Sequence, residues 1–251
     1  MKTVWFVSLG YTLSIAVVAF GSIALLHSHF FLIAWLQHLG LLAWALRLRY
    51  FILKRERNLH YQSAVESIRA RSERLSIGIK IMIWISVSIL YTIMFSPAFF
   101  TALSDYEPDL LSMSFLINVD GIAILFAGLI IESVADSQKS EFKKLHPKKF
   151  CQTGLYGWVR FPNYLGEIMV WTGNFIVAIP FYRAGWHWLI AIAGLVILVL
   201  IMLGSAKRLE ARQNRQHEAD PAYLEFVRKT PVLFPWLPIY SLQKNKIHLG
   251  G

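Results

Sequence analysis

Six runs of about 20 mostly apolar residues dominate this 251-residue sequence. A helix needs about that many to cross the roughly 30 Å hydrocarbon core of a bilayer. Only 16% of the residues are charged, against about 25% in a typical soluble domain. The runs therefore predict an all-α polytopic transmembrane helix bundle that forms one integral membrane domain, 1–251. They cover about 4–26, 30–53, 77–100, 111–134, 164–181 and 186–205.

The 25 Lys and Arg residues are distributed unevenly around these runs. If all six runs cross the membrane, every Lys and Arg except Arg183 falls on the same side of it. Because cytoplasmic loops are enriched in Lys and Arg, this pattern predicts that both termini are cytoplasmic. Topology and attraction to anionic lipids then explain the formal net charge of +10, so no nucleic-acid partner is expected. The basic segments are Lys2, 47–80, 139–160 and 207–246.

Two segments outside the runs are predicted to lie at the cytoplasmic surface. Apolar residues are interspersed among charges over 58–76, which indicates an amphipathic helix lying against the membrane. The tail, 206–251, begins as a helix, breaks at Asp220 and Pro221, and ends in a cluster rich in aromatic residues and proline. We expect this tail to fold over the loop that precedes the fifth run.

Charged residues extend from the fourth run into the loop that follows it. Ionisable groups at membrane depth cost roughly 2.5–3.5 kcal/mol each on insertion, so their presence needs a reason. At about 100° per residue, Glu132, Asp136, Lys139 and Lys143 share an arc of about 60° on one helix face. This stripe is explained either by ion pairs at a helix end or by one wall of a binding site.

The segment 153–167 places several hydrogen-bonding residues before the fifth run. Arg160 offers five donors in a planar fork that suits phosphate, and Pro162 fixes a turn. Asn163 is predicted to be the N-cap of the next helix, with Glu167 about one turn inside it. A capped helix start would account for these residues. They would equally suit the mouth of a site for an anionic ligand whose other part enters the membrane.

These two clusters together resemble the C-terminal signature of the steroid 5-alpha-reductase superfamily. The resemblance is strongest to a bacterial branch of membrane proteins related to 3-oxo-5-alpha-steroid 4-dehydrogenases, and it covers roughly residues 40–238. Isoprenylcysteine carboxyl methyltransferases carry a similar Arg–Pro turn. The matching residues are 132–139, 142–143, 154–156 and 160–167, followed by Glu210, 223–226 and 234–235 in the tail.

The resemblance implies an enzyme of the bacterial inner membrane that binds NADPH at its cytoplasmic face. Such an enzyme delivers hydride to a C=C bond conjugated to a carbonyl in a lipid-like substrate of steroid or isoprenoid type. Asp136 and Asn163 match positions that hydrogen-bond the cofactor, and Lys143 matches a phosphate-binding position. Glu167 matches a residue near the nicotinamide. The implied cofactor-binding residues are Glu132, Asp136, Lys143, Arg160, Asn163, Tyr164, Glu167, Glu210 and Arg212.

The sequence also departs from the pattern of that family. Phe161 stands where the turn usually has a histidine, and Trp44 lies in the region where the steroid reductases have a tyrosine. The first two runs contain no glutamate, so no catalytic residue is predicted. Two other functions remain open: an S-adenosylmethionine-dependent membrane methyltransferase and a non-enzymatic lipid-binding membrane protein. No metal site is expected, because the histidines lack ligand spacing and Cys151 is the single cysteine.

Overall fold

The structure, a computed structural model, describes residues 6–56, 76–105, 107–110 and 112–243, with the backbone alone at 6–9 and 55–56. Over these ranges the chain is helical and has no β-strand. The α-helices found there are α1 (Phe6–Leu26), α2 (Leu32–Glu56), α3 (Ile77–Ala102), α4 (Met113–Leu145), α5 (Pro162–Val177), α6 (Gly185–Gln216) and α7 (Pro221–Lys229).

Within the described ranges, five helical segments are long and apolar enough to cross a membrane. They correspond to predicted runs one, three, four, five and six, which confirms an all-helical polytopic membrane protein. At 33 and 32 residues, α4 and α6 are each roughly 50 Å long and exceed the hydrocarbon core of about 30 Å. The five segments are Gly10–His29, Ile77–Ala102, Met113–Leu145, Pro162–Phe181 and Gly185–Gln216.

The second predicted run forms a helix but differs from the other five. α2 covers it, yet this helix is not apolar enough to be counted among the membrane-crossing segments. Gln37 and His38 near its start are both fully buried, so protein and not lipid surrounds this part of the helix. The surface helix predicted over 58–76 lies, apart from Ser76, outside the described residues. Ser76 caps α3, since its Oγ accepts a hydrogen bond from the N–H of Ile79.

The sequence predicts one domain, and the structure divides the chain into two compact units. Unit 1 comprises Met1–Leu125 and Thr172–Gly194, and unit 2 comprises Phe126–Trp171 and Leu195–Gly251. The boundaries fall inside α4, α5 and α6, so each of these helices contributes one part to either unit.

In unit 1, α1 packs against α2 and α3. The ring of Tyr11 stacks on that of Tyr91 with centroids 4.5 Å apart, and it lies 6.3 Å from the fully buried Trp44. Burying a ring of this size contributes a large part of helix-packing energy. Aromatic contacts thus connect the first three helices.

In unit 2, α4 and α5 approach each other through glycine. A Cβ atom on Gly128 would lie 2.6 Å from the carbonyl oxygen of Gly166, and one on Gly166 would lie 2.7 Å from the backbone nitrogen of Glu132. Neither position has room for a side chain, and small residues of this kind let membrane helices pack backbone to backbone. The contact places Glu132 beside Gly166, the residue that precedes Glu167 in the sequence.

Candidate functional site

The predicted cofactor-binding residues all lie in unit 2, on three of its segments. The C-terminal part of α4 carries the charged stripe as one continuous helix. Glu132 and Asp136 are only 2% and 6% exposed, whereas Lys143 near the helix end is half-buried. Two acidic side chains are therefore held away from water on one helix face, where burial of a charge is costly unless polar partners surround it.

The loop after α4 is pinned to that helix by Gln138. The N–H of Leu155 donates a hydrogen bond to Gln138 Oε1 at 3.0 Å. Gly154 has a φ of 62°, and a Cβ there would lie 2.5 Å from the Gln138 amide. Only glycine suits this left-handed position against the helix. Tyr156 is buried in the same loop, with Lys139 Nζ 5.8 Å from its ring centroid. The loop is thus fixed relative to the charged stripe.

The start of α5 differs from the prediction that Asn163 is its N-cap. The helix begins at Pro162, and the carbonyl of Phe161 accepts from the N–H groups of Tyr164 and Leu165. Phe161 therefore occupies the capping position, and proline takes the first helical position because it has no N–H to satisfy there. The N-cap assignment of Asn163 is wrong. The Asn163 side chain therefore does not cap α5.

Two predicted site residues occupy the first two turns of α5. Asn163 is half-buried, and its Oδ1 accepts no hydrogen bond from any described residue. Glu167 lies one turn further on and is only 7% exposed. A buried amide oxygen without a donor is unfavourable unless a ligand or water supplies one. Tyr164 packs instead against an apolar cluster formed by Phe161 and the tail.

Arg160 and Glu210 form a buried ion pair. Arg160 Nη2 lies 2.8 Å from Glu210 Oε1, and the two side chains are 1% and 0% exposed. The same Nη2 donates to the carbonyl of Tyr240 at 2.6 Å, and Glu210 Oε2 accepts from the N–H of Leu242 at 2.9 Å. The pair therefore holds the chain near residues 240–242 by both charge and hydrogen bonds.

The tail meets the loop next to this pair, as expected from the sequence. The N–H groups of Arg160 and Phe161 donate to the carbonyls of Pro231 and Val232, at 2.9 and 3.1 Å. Phe161, Val232 and Leu233 then share an apolar cluster with residues of α6. Phe161, which replaces the histidine of the related turn, is thus a packing residue here.

Tyr223 extends the network around Arg160. Its hydroxyl donates to Asn214 Oδ1 at 2.7 Å, and its side chain is almost fully buried. Burial raises the pKa of Tyr223, while the neighbouring Arg160 guanidinium acts in the opposite direction. The N-cap Asp220 and Pro221 position this short helix, since Asp220 Oδ1 accepts from the N–H of Ala222.

Basic side chains from two segments, the end of α4 and the end of α6, lie near one another. Lys143 Nζ donates to the carbonyls of Pro147 and Lys149, at 3.2 and 2.6 Å, so the turn after the helix fixes its position. Arg212 on α6 is exposed and lies within electrostatic range of Lys143. His217 is the third member. We call Lys143, Arg212 and His217 the basic cluster.

His217 responds to its neighbours in the basic cluster. Partial burial lowers its pKa, the Lys143 ammonium lowers it further, and Asp220 acts in the opposite direction. Its ring also contacts those of Phe150 and Tyr223, with centroids 5.5 and 5.3 Å away. Like charges held this close destabilise one another, so an anion placed among them would be favoured.

Unit 1 contains a second group of buried polar residues, of which only Asn118 stands out in the sequence, as a polar residue inside the fourth run. Gln37 Nε2 donates to Asn174 Oδ1 at 2.8 Å, and Asn174 Nδ2 donates to the carbonyl of Met94 at 3.0 Å. Asn118 Nδ2 donates to the carbonyl of Val177. The signal was present in the sequence: Gln37 and His38 interrupt the second apolar run, where polar side chains at membrane depth call for an explanation.

His38 is the most unusual member of this group. It is fully buried between the rings of Phe30 and Phe95, and its Nδ1 bonds to the carbonyl of Ala34 at 2.8 Å. A carbonyl only accepts, so Nδ1 carries the hydrogen and Nε2 is the remaining site. Nε2, like Gln37 Oε1 and Asn118 Oδ1, forms no hydrogen bond within the described part of the chain.

The side chains in unit 2 suit a nucleotide with several phosphates. The basic cluster supplies cations for phosphate oxygens, and Asp136 is an acceptor of the kind that binds ribose hydroxyls. The Asn163 amide oxygen lacks a donor among the described residues, as a carboxamide-binding position would before its ligand is present. Arg160 and Glu210, by contrast, direct their charges at each other.

Comparison with known proteins places the chain in one family. No curated protein and no solved structure matches it. One family model does match, over residues 1–230, which include every helix described above. The chain therefore belongs to the family described as Protein of unknown function (DUF1295).

Proposed function

We propose that this protein is a membrane-embedded reductase that uses NADPH and acts on a lipid-like substrate with a C=C bond conjugated to a carbonyl. The basic cluster is the observation that carries the proposal. Lys143 is on α4, whereas Arg212 lies near the end of α6 and His217 follows that helix directly. Lys143 is repelled by Arg212, and a protonated His217 is repelled by Lys143. An anion placed there would offset this repulsion, and a dinucleotide phosphate provides several negative charges.

The same cluster argues against S-adenosylmethionine as the cofactor. That molecule has no phosphate, and its single carboxylate is outweighed by its sulfonium and ammonium groups. Beside Lys143 and Arg212 it would therefore be less favoured than a nucleotide with several negative charges.

The residues of unit 2 have distinct proposed tasks. When bound, NADPH would supply the hydride. Lys143, which the carbonyls of Pro147 and Lys149 hold in place, has a third N–H directed to phosphate. Arg212, being exposed, adds a second donor to phosphate. Asp136 would accept from a ribose hydroxyl, and Asn163 would bind the carboxamide or a hydroxyl through its unused Oδ1.

The cofactor assignment is tested by ligand titration of the full chain in lipid nanodiscs. NADPH fluorescence should report saturable binding, NADH should bind at least about tenfold more weakly, and S-adenosylmethionine should not compete. Rising salt should weaken NADPH binding, since exposed charges contribute to it. Binding of S-adenosylmethionine without binding of NADPH would overturn the proposal in favour of a methyltransferase.

A further inference from the structure

Unit 1 contains a cavity of about 620 Å³ where α3 ends and α6 begins. Its volume is in the range of small-molecule sites. The walls are mainly aromatic, with one acid and one guanidinium group among them. The residues that matter here are Phe100, Phe181, Trp186, Asp105, Arg183 and His187.

Phe100 organises the aromatic wall of the cavity. Its ring stacks on His187 with centroids 4.1 Å apart and meets Trp186 edge-on at 5.5 Å. Trp186 is also 55% exposed. Exposed tryptophan beside the end of a membrane-crossing helix is typical of the interface between hydrocarbon and water, where lipid head groups lie.

The backbone fixes the hydrogen-bonding state of His187. The N–H of Arg183 donates to His187 Nδ1 at 3.1 Å, so Nδ1 is an acceptor. In the neutral ring the hydrogen is then on Nε2, which makes His187 a donor at that atom. The side chains of His187 and Arg183 therefore both offer N–H donors to the cavity, which the Asp105 carboxylate also lines.

A ligand that carries both a positive and a negative charge matches this lining better than a simple ion does. A phosphate alone would meet Asp105 with its own sign, and an amine alone would meet Arg183. We propose that the cavity binds the head group of phosphatidylethanolamine, with the phosphate at Arg183 and His187 and the primary ammonium at Asp105. The glycerol and acyl chains would lie along the Phe100 and Trp186 surfaces and continue into the bilayer.

The choice of ethanolamine over choline rests on the carboxylate. A primary ammonium has three N–H donors for Asp105, whereas a choline group has none. Phosphatidylglycerol lacks the cation altogether. The cavity should therefore rank the three lipids in the order ethanolamine, choline, glycerol.

The proposal is tested by native mass spectrometry of the delipidated full chain with an equimolar mixture of the three lipids. The unmodified chain should retain the ethanolamine lipid about tenfold more than the choline lipid, the factor expected for one charge-assisted hydrogen bond. Asp105→Asn should reduce this preference, because its amide oxygen still accepts a hydrogen bond but carries no charge, and Arg183→Gln should weaken both lipids. Asp109→Asn changes an exposed acid of the same loop outside the cavity lining and should behave as the unmodified chain.

Three results would overturn the assignment. The first is a preference of the unmodified chain for the glycerol lipid, which needs no variant to detect. The second is an ethanolamine preference that is undiminished in Asp105→Asn. The third is binding of water-soluble glycerophosphoethanolamine as tight as that of the lipid, which would make the ligand a soluble zwitterion. Thermal unfolding without lipid checks that both cavity variants are folded, and none of these measurements depends on NADPH.

Discussion

Two groups of charged residues in unit 2 look alike in the sequence and differ in the structure. Arg160 and Glu210 are fully buried and face each other at 2.8 Å. Lys143, Arg212 and His217 all carry or can acquire positive charge, and they lie together with part of their surface in water. The first group is balanced within the chain, whereas the second keeps an excess of cations beside Asp220 and would be stabilised further by an anion. Charge balance therefore separates a residue pair that holds the fold from a cluster that is suited to a ligand.

The largest effect is expected from Glu210→Gln. This change leaves the Arg160 guanidinium buried without its counter-charge and weakens the acceptor for the N–H of Leu242. Breaking a buried pair from one side costs about 3–5 kcal/mol of the free energy of unfolding. Thermal or denaturant unfolding of the chain in detergent would measure it.

Two controls make this result specific. Glu218→Gln alters an exposed acid two turns away and should change the stability little. The double variant Arg160→Met with Glu210→Leu should be less destabilised than Glu210→Gln, because no uncompensated charge is left behind. If Glu210→Gln and Glu218→Gln were equally stable, the pair would not hold the tail as described.

The next-largest effect is expected in the affinity for NADPH and not in the stability of the fold. Lys143→Gln removes one cation from the basic cluster and should weaken NADPH by about tenfold or more, which corresponds to about 1.5–3 kcal/mol for a charge-assisted hydrogen bond. The change in stability should be small, because Arg212 and His217 lose a repelling neighbour while the carbonyls of Pro147 and Lys149 lose a donor. Nucleotide titration and thermal unfolding measure the two outcomes separately.

Lys144→Gln is the matched control for Lys143→Gln. Lys144 is the next residue on α4, points about 100° away around the helix and is exposed. Its loss should leave NADPH affinity unchanged. A comparable loss of affinity in both variants would mean that general positive charge attracts the nucleotide and that Lys143 has no special place in the site.

The helices could be predicted from the sequence because the apolar runs are long. Five of the six runs form described helices that are long and apolar enough to cross a membrane, and the break at Asp220 and Pro221 lies where α7 begins. The predicted N-cap at Asn163 failed because Pro162 suits the first helical turn and moves the cap to Phe161. A local pattern is therefore reliable for helix existence and less so for the residue at which a helix begins.

The distinction between the two charged groups could not be predicted. Arg160 and Glu210 are 50 positions apart, and no local spacing shows that they pair. The sequence therefore gave Arg160 the same phosphate-binding role as Lys143. Likewise, Gln37 and His38 were counted within an apolar run, although the structure buries both and connects Gln37 to Asn174 in α5. Contacts between distant segments decide these roles.

The smallest effect is expected from His217→Gln and appears in the pH dependence of NADPH binding. The pKa of His217 is lowered in the fold, so protonation on going below about pH 6.5 destabilises the folded chain without ligand. Bound phosphate would stabilise the protonated ring, and affinity should therefore rise as the pH falls through that window. Lys143 and Asp220 face the same ring, and they act on its pKa in opposite directions. The difference between the unmodified chain and His217→Gln isolates the histidine from titration of the nucleotide, and it should be less than about tenfold, since the ring is largely solvated. Identical pH profiles for the two proteins would place the phosphate away from His217 and reduce the basic cluster to Lys143 and Arg212.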